Sequence, residues 1–445
     1  MTSTTADPEI VEPSSSILRV LLRCVTTIAG LSLLAKGMGF LRDAAAAAKF
    51  GTGDAMDAYT LALGIPTLLA GLFCNAIPTA LIPAYARAKV KGGKSYATGV
   101  VANGVVLQFL SITAVCAVLG LLSQPLIDLI AGEFSAEKRL MGQQLFLILL
   151  VFSILLSTSH AVTAALQAEK KFTLAAVSPA IIPVVSIGAL FAMHVQMGVY
   201  SLALGLVAGA GIHLLLLLYA TTKEYGVVCL KPNFTEHAPK QFMGDSMLIL
   251  LGSALFGGCV MIDLAVASRL PAGTVATFGF ADKVLGIVLS LAGVALGQAL
   301  MPYLSEMQAE SDRTKLRDLV FKLSCIVAGL TLPVVLVFWL AATPITQILF
   351  QRGEFGPDET LRVANALRWG SLQFPAAALG VIASSMVIAM GAVRYMCWVS
   401  LIALIANVIL DLTLAPMFGL AGILVATALV HTISTVLLFK KIIQS

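Results

Sequence analysis

The sequence predicts an all-α integral membrane protein with about twelve transmembrane helices, arranged as two six-helix bundles around a central cavity. Three observations carry this prediction. Of the 445 residues, 59% are hydrophobic and only 11% are charged, whereas soluble domains average about 25% charged residues. Apolar stretches of the roughly 20 residues that a bilayer requires recur along the whole chain. Two short sequence motifs of the first half also recur in the second half.

The chain opens with residues 1–16, which are polar and rich in serine, threonine and proline, so we expect a disordered cytoplasmic tail there. Twelve apolar stretches follow. The first of them is interpreted as a retained helix and not as a signal peptide, because many more spans come after it. The predicted spans are 20–41, 57–85, 97–122, 141–167, 173–194, 198–221, 243–268, 275–303, 319–341, 362–391, 395–416 and 419–439.

Two pairs of short sequences relate the halves of the chain. The sequence Ala-Leu-Ile-Pro at 80–83 returns as Ala-Leu-Met-Pro at 299–302, with an offset of 219 residues. Residues 165–172 resemble 389–395, with an offset of 224. Repeats in the same sense predict two bundles related by an axis along the membrane normal. The predicted divisions are an N-terminal bundle, a cytoplasmic linker and a C-terminal bundle, at residues 17–222, 223–242 and 243–445.

Lysine and arginine are distributed unevenly between the predicted loops. If the N-terminus is cytoplasmic, eighteen of them lie in inner segments and eight in outer segments. Because positive residues accumulate on the cytoplasmic side, we predict that both termini are cytoplasmic. The net charge of +5 then reflects orientation, and we expect no nucleic-acid partner.

The stretch 262–283 places four ionisable residues at membrane depth. They are Asp263, Arg269, Asp282 and Lys283. Each ionisable group at that depth costs at least a few kcal/mol, so a group of four predicts a charged ligand.

The first two spans supply the opposite side of this predicted site. Lys36 lies in span one, Arg42 and Asp43 lie at its outer end, and Asp57 opens span two. Ammonium and guanidinium groups bind phosphate through charge-assisted hydrogen bonds, so a pyrophosphate is the expected ligand. The predicted pyrophosphate-binding residues are Lys36, Arg42, Arg269 and Lys283. The residues predicted to pair with these cations or to form gate bridges are Asp43, Asp57, Asp263 and Asp282. The alternative is internal pairing that only assists helix assembly, such as Lys36 with Asp57 or Asp263 with Lys283.

No set of residues typical of an enzyme is found in the sequence. It contains no HExxH motif and no nucleotide-binding fingerprint, and Ala88 stands where a phosphate-binding loop ending at 92–95 would need glycine. We therefore predict a protein that is not an enzyme and has no cofactor or metal. We expect the membrane potential or a coupling ion, H⁺ or Na⁺, to drive it.

Several motifs occur in the order found in the MurJ/MviN family. Residues 36–43 and 57–59 resemble the opening of that family, residues 262–283 resemble its spans seven and eight, and residues 349–355 resemble the loop before its span ten. The resemblance extends from about residue 25 to 440. This family belongs to the MOP exporter superfamily, and its known members flip lipid II, the undecaprenyl-pyrophosphate-linked peptidoglycan precursor.

The resemblance implies a monomeric, multi-pass flippase of the bacterial inner membrane that works by alternating access. Its substrate would be a lipid-linked glycan whose lipid tail remains in the bilayer. Lys36 and Lys283 stand where the family has arginine, Ala70 and Gly71 stand where it has basic residues, and the family usually has fourteen spans. A related lipid-linked oligosaccharide is therefore an alternative cargo. Two other functions stay open, namely an ion-coupled multidrug exporter of the same superfamily and a non-transporting scaffold of a glycan synthesis complex.

Overall fold

The computed structural model of the protein describes residues 34–169, 171–225, 240–290 and 313–444, and every regular element in these ranges is a helix. Eight helical segments of the described ranges are long and apolar enough to cross a membrane, or nine if one bent pair forms a single span. The predicted all-helical membrane fold is confirmed. The count of twelve spans stays a prediction.

Some expectations fall outside the described residues. They are the tail at 1–16, most of the linker at 223–242 and the repeated sequence at 299–302. The division into two bundles therefore stays a prediction, although helices of each half pack mainly on one another.

The first half of the chain forms seven α-helices and one short 3-10 helix, Ser178–Ala180, in the described ranges. The α-helices are α1 (34–50), α2 (Asp54–Leu121), α3 (Ser123–Ile130), α4 (Ala136–Ala168), α5 (Phe172–Val177), α6 (Ile181–Met197) and α7 (Tyr200–Tyr225). Helix α2 contains two predicted spans, and its backbone leaves the helical conformation at Gly92 and Gly93. Gly93 has a φ of 73°, which glycine adopts without steric cost, so the chain turns there between the two spans.

The second half also forms seven helices in the described ranges. They are α8 (Lys240–Ala267), α9 (274–290), α10 (Arg313–Phe350), α11 (Pro357–Ser371), α12 (Gln373–Ala389), α13 (Val393–Phe418) and α14 (Leu420–Gln444). Helices α11 and α12 meet at a bend of 43°, so the predicted tenth span is a bent pair. Helix α8 packs on α13, and α14 packs on both α12 and α13.

Small residues allow the closest helix packing in the first half. A Cβ added at Gly205 would lie 2.8 Å from Ser186 Cα, and one added at Gly209 would lie 2.8 Å from Ile182 Cα. The Gly205-x-x-x-Gly209 spacing thus brings α7 directly against the backbone of α6, as such motifs do in membranes.

Candidate functional site

A cluster of three charged residues lies where α1 meets α9. The Asp43 carboxylate is 7% exposed and accepts two hydrogen bonds from the Arg42 guanidinium, at 2.6 and 2.9 Å. Lys283 Nζ lies 3.1 Å from the same carboxylate oxygen. The structure therefore brings together three of the predicted residues, which come from both halves of the chain. Two positive charges against one negative charge leave this cluster with a net charge of +1.

Two more of the predicted residues lie on the same two helices. Lys36 is exposed and donates a hydrogen bond to Ser290 Oγ at 2.9 Å. Asp282, next to Lys283, is also exposed. Because α1 and α9 run antiparallel here, the Lys36–Ser290 contact lies at one end of their interface and the cluster around Asp43 lies further along it.

The two halves separate along α2. A Cβ added at Gly64 of α2 would lie 2.7 Å from Leu264 Cδ1 of α8. One turn later, a Cβ added at Gly257 of α8 would clash with Leu68 Cδ1 of α2. Gly71 follows on the same face of α2, yet a Cβ added there would meet no atom within 4 Å. Helices α2 and α8 thus touch as far as Leu68, and at Gly71 the described residues leave the space between the halves open.

Asp57 holds the halves together at the opposite end. Its fully buried carboxylate accepts hydrogen bonds from Lys138 Nζ and from the backbone N–H groups of Gly273 and Ala276, each at 2.7 Å. Those two amides lie at the start of α9, where backbone donors lack acceptors within the helix and a negative charge is favourable. Asp57 therefore joins α2 and α4 to α9.

The turns at this end add further contacts between the halves. The Glu354 N–H donates to the Ala48 carbonyl at 3.0 Å, and the Arg362 guanidinium donates to Thr52 Oγ1 at 3.1 Å. Gly353 has a φ of 59° and lies directly against the Ala48 carbonyl, so this position requires glycine. The described residues thus form a closed end around Asp57 and an open space beginning at Gly71.

Lys138 is one functional residue that the sequence does not reveal, because it counts there only as one of the eight cations of the predicted outer segments. The structure buries it in the first turn of α4, with Nζ 4.0 Å from the centre of the Phe134 ring and 2.7 Å from both Asp54 and Asp57. A cation in the first turn of a helix opposes the helix dipole. That signal could have indicated a nearby acidic partner.

The structure does not bring Arg269 into the cation cluster. This residue is exposed in the turn after α8, where its Cγ packs against Gly132 at the closed end. The internal pairs considered from the sequence do not form either. Lys36 contacts Ser290 and not Asp57, whose partner is Lys138, while Lys283 contacts Asp43 and not Asp263.

Asp263 belongs to a second polar cluster, inside the second half. It is 1% exposed and accepts hydrogen bonds from Asn407 Nδ2 at 2.9 Å and from Thr427 Oγ1 at 3.3 Å. Asp411 is fully buried one helical turn after Asn407 and interacts electrostatically with Asp263. Among the described residues, Asn407 Oδ1 has no hydrogen-bond donor, and Asp411 has none unless one of the two carboxyl groups is protonated and bridges Asp411 to Asp263. Buried acceptors without donors favour a bound cation.

Known proteins resemble the chain over most of its length. The family model described as "Lipid II flippase MurJ" matches residues 46–445. The probable lipid II flippase MurJ of Rhizobium tropici is 26% identical over 437 residues, which cover 94% of this chain and 80% of that protein. The lipid II flippase MurJ of Burkholderia cenocepacia is 27% identical over 360 residues, covering 78% of this chain and 69% of that protein.

Solved structures share the fold at low sequence identity. A structure described as lipid II flippase MurJ in an inward closed conformation has a TM-score of 0.78 at 18% identity, covering 94% of this chain and 87% of that one. An inward-facing MATE multidrug transporter of the MOP superfamily has a TM-score of 0.76 at 14% identity, covering 94% and 97%. These likenesses confirm the MOP-type architecture. Together with the sequence match over residues 46–445, they show that the chain belongs to the lipid II flippase MurJ family.

Proposed function

We propose that this protein flips an undecaprenyl-pyrophosphate-linked glycan, lipid II or a related lipid-linked oligosaccharide, by alternating access. The observation that carries the proposal is the cluster of Arg42, Asp43 and Lys283, which presents cations from both halves beside an open space. As a member of the family, the chain is a multi-pass protein of the inner membrane. We infer a monomer with both termini cytoplasmic, so that the opening at Gly71 faces the cytoplasm.

The cations beside the open space, Lys36, Arg42 and Lys283, are expected to bind a pyrophosphate without catalysing a reaction on it. Among the described residues, Lys36 donates only to a neutral hydroxyl, so its ammonium would exchange that partner for a phosphate oxygen at low cost. Arg42 provides planar, paired donors, whereas Lys283 provides a compact charge. Opening towards the other side then requires the Asp57 contacts to break and the Lys36 side of the cavity to close.

The second polar cluster is the site that we propose for the coupling ion. Asp263, Asp411, Asn407 and Thr427 offer carboxylate, amide and hydroxyl oxygens from α8, α13 and α14. Oxygen ligands suit hard cations, and H⁺ or Na⁺ would each neutralise one of the two carboxylates. Binding there would alter how these three helices pack, and α8 is the helix that touches α2 beside the opening.

The cation cluster is tested by removing its charges. Arg42→Ala and Lys283→Ala should each weaken binding of labelled lipid II by roughly 10- to 100-fold, because a hydrogen bond to a charged group is worth about 1.5–3 kcal/mol. Arg269→Ala is the matched control and should bind as the wild type does. Unchanged flipping in proteoliposomes that carry both substitutions would refute the mechanism.

Gly71 permits a test by gain of charge. A Cβ added there meets no atom within 4 Å, whereas Ala70 is only 3% exposed. We expect Gly71→Arg to fold and to bind the pyrophosphate head group about tenfold more tightly, since it adds one charge-assisted donor. Ala70→Arg should instead unfold the protein, because it buries an unpaired charge. Thermal unfolding and head-group titration measure both effects, and weaker binding by folded Gly71→Arg would contradict the proposed site.

The same reconstituted system separates the two alternative functions. A multidrug exporter should move cationic drugs through a cavity dominated by acids, and here Lys36, Arg42 and Lys283 outnumber Asp43 and Asp282. A scaffold should not move lipid when purified alone. Export of a cationic drug without lipid flipping, or no transport at all, would favour one of these functions over ours.

A further inference from the structure

The second half contains a cavity of about 590 Å³, lined by residues of α8, α9, α12, α13 and α14. This volume lies within the range of roughly 300–1,000 Å³ that small-ligand sites occupy. Small residues of the walls, such as Gly252, Ala377, Gly380 and Ser384, create the space. No aspartate, glutamate, lysine or arginine occurs among the described residues that line it. The cavity therefore suits an uncharged ligand.

The hydroxyl groups of two wall residues are directed to backbone carbonyls. Ser384 Oγ donates to the Val381 carbonyl at 3.0 Å, and Thr435 Oγ1 donates to the Ala376 carbonyl at 2.8 Å. With these donors satisfied within the helices, Ser384 and Thr435 offer the cavity mainly carbon surface. His431 and Ser434 also line the cavity, and Ser434 Oγ has no hydrogen-bond partner among the described residues, so polar groups occupy part of a wall that is mostly apolar. An apolar chain that enters the cavity would break neither of the hydrogen bonds of Ser384 and Thr435.

The cavity adjoins the cation site. Leu289 forms part of its wall, and the next residue, Ser290, accepts the hydrogen bond from Lys36 Nζ. Phe256 lines it as well and is 38% exposed, one residue before the Gly257 that Leu68 contacts. The mouth of the cavity thus lies at the level where α2 and α8 separate, within reach of a molecule whose anionic end is bound at Lys36.

We propose that this cavity holds the first isoprene units of the polyprenyl chain while Lys36, Arg42 and Lys283 bind the pyrophosphate. The inference rests on the proposed function and deepens it, because it places part of the tail inside the protein and not in the bilayer. A tail that starts at the pyrophosphate must leave the cation site along an apolar surface, and the wall at Leu289 is one residue from that site. Each buried CH₂ group strengthens binding by roughly fourfold.

Filling the cavity tests this inference. Ala377→Phe and Ser384→Leu each place added carbon atoms in the cavity, while Ile405→Phe changes a position on α13 that is 52% exposed and does not line it. The probes are the lipid II head group on an undecaprenyl chain and the same head group carrying one methyl group. We expect the two filling variants to bind the undecaprenyl probe at least about tenfold more weakly, since two or more CH₂ groups are excluded. Binding of the methyl probe should not change, and Ile405→Phe should bind both probes as the wild type does.

The outcomes distinguish the inference from the function on which it rests. If the filling variants flip lipid II and bind both probes as the wild type does, the inference is overturned and the flippase function stands. If the wild type neither binds nor flips lipid II, both are overturned. A diazirine on the first isoprene unit provides a second measurement that needs no variant. Adducts on α12 or α14 cavity residues support the inference, and adducts confined to the exposed faces of α10 and α13 overturn it.

Discussion

Replacing Asp57 by alanine is expected to destabilise the closed end of the protein by about 3–5 kcal/mol, the usual cost of leaving one partner of a buried ion pair alone. Lys138, whose side chain is 7% exposed, would retain only Asp54 as a carboxylate partner among the described residues, and the amides of Gly273 and Ala276 would lose their acceptor. Thermal unfolding should show the loss directly. Spin-label distances across the closed end should shift towards a separated state.

Asp54→Ala is the matched control for this prediction. Asp54 contacts the same Lys138 Nζ at the same 2.7 Å, but its side chain is 69% exposed. An exposed ion pair contributes about 0–1 kcal/mol. The control should therefore have nearly the same unfolding temperature and the same spin-label distances as the wild type. The Asp57→Ala, Lys138→Met double variant should recover part of the lost stability, since no buried charge is then left alone. Equal effects of Asp54→Ala and Asp57→Ala would contradict the role assigned to Asp57.

Asp411→Asn is expected to abolish the dependence of stability and flipping on the coupling ion. In the wild type, an ion present at 100 times its Kd should stabilise the folded state by about 2.7 kcal/mol. The substitution keeps the shape of the side chain but removes the repulsion with Asp263, so the folded protein no longer gains from a cation. We expect the variant to be the more stable protein in ion-free buffer and to flip lipid without any response to the ion.

Melting curves in sodium and choline buffers at several pH values measure this effect. Stabilisation by sodium at constant pH identifies Na⁺ as the coupling ion. Stability that is present at low pH and lost as the pH rises, without a sodium effect, identifies H⁺, because a proton bound only by the folded state favours folding while the pH is low. Asp128→Asn makes the same chemical change at a carboxylate that is 49% exposed, and it should leave the ion response intact. An unchanged response in Asp411→Asn would rule out this cluster as the ion site.

The sequence predicted the helices because span length and apolar composition are local properties. The predicted span 395–416 corresponds to α13, for example, and the predicted pair 57–85 and 97–122 corresponds to α2 with its break at Gly92. The neighbours of each ion could not be predicted in the same way. They depend on how helices rotate and pack, which periodicity does not fix in chains that are apolar on most faces.

The candidate site shows the same limit. Arg42, Asp43 and Lys283 could be identified because an ionisable group at membrane depth is costly and so stands out in the sequence. Asp263 stood out equally, but its partners Asn407 and Thr427 are ordinary polar residues that give no such signal. Lys138 looked like one more loop cation, and only the packing of α4 against α2 reveals that it is buried.

The single Asp43 oxygen shared by Arg42 and Lys283 has a consequence for the electrical work of the transport cycle. The empty cluster carries one net positive charge, and Lys36 and Asp282 add charges that cancel. A bound pyrophosphate diester contributes two negative charges, so the loaded cluster carries one net negative charge. A membrane that is negative inside drives negative charge outwards and positive charge inwards, with about 2.3 kcal/mol per charge and 100 mV. In the proposed cycle, the same potential therefore favours both the outward step with cargo and the inward return without it.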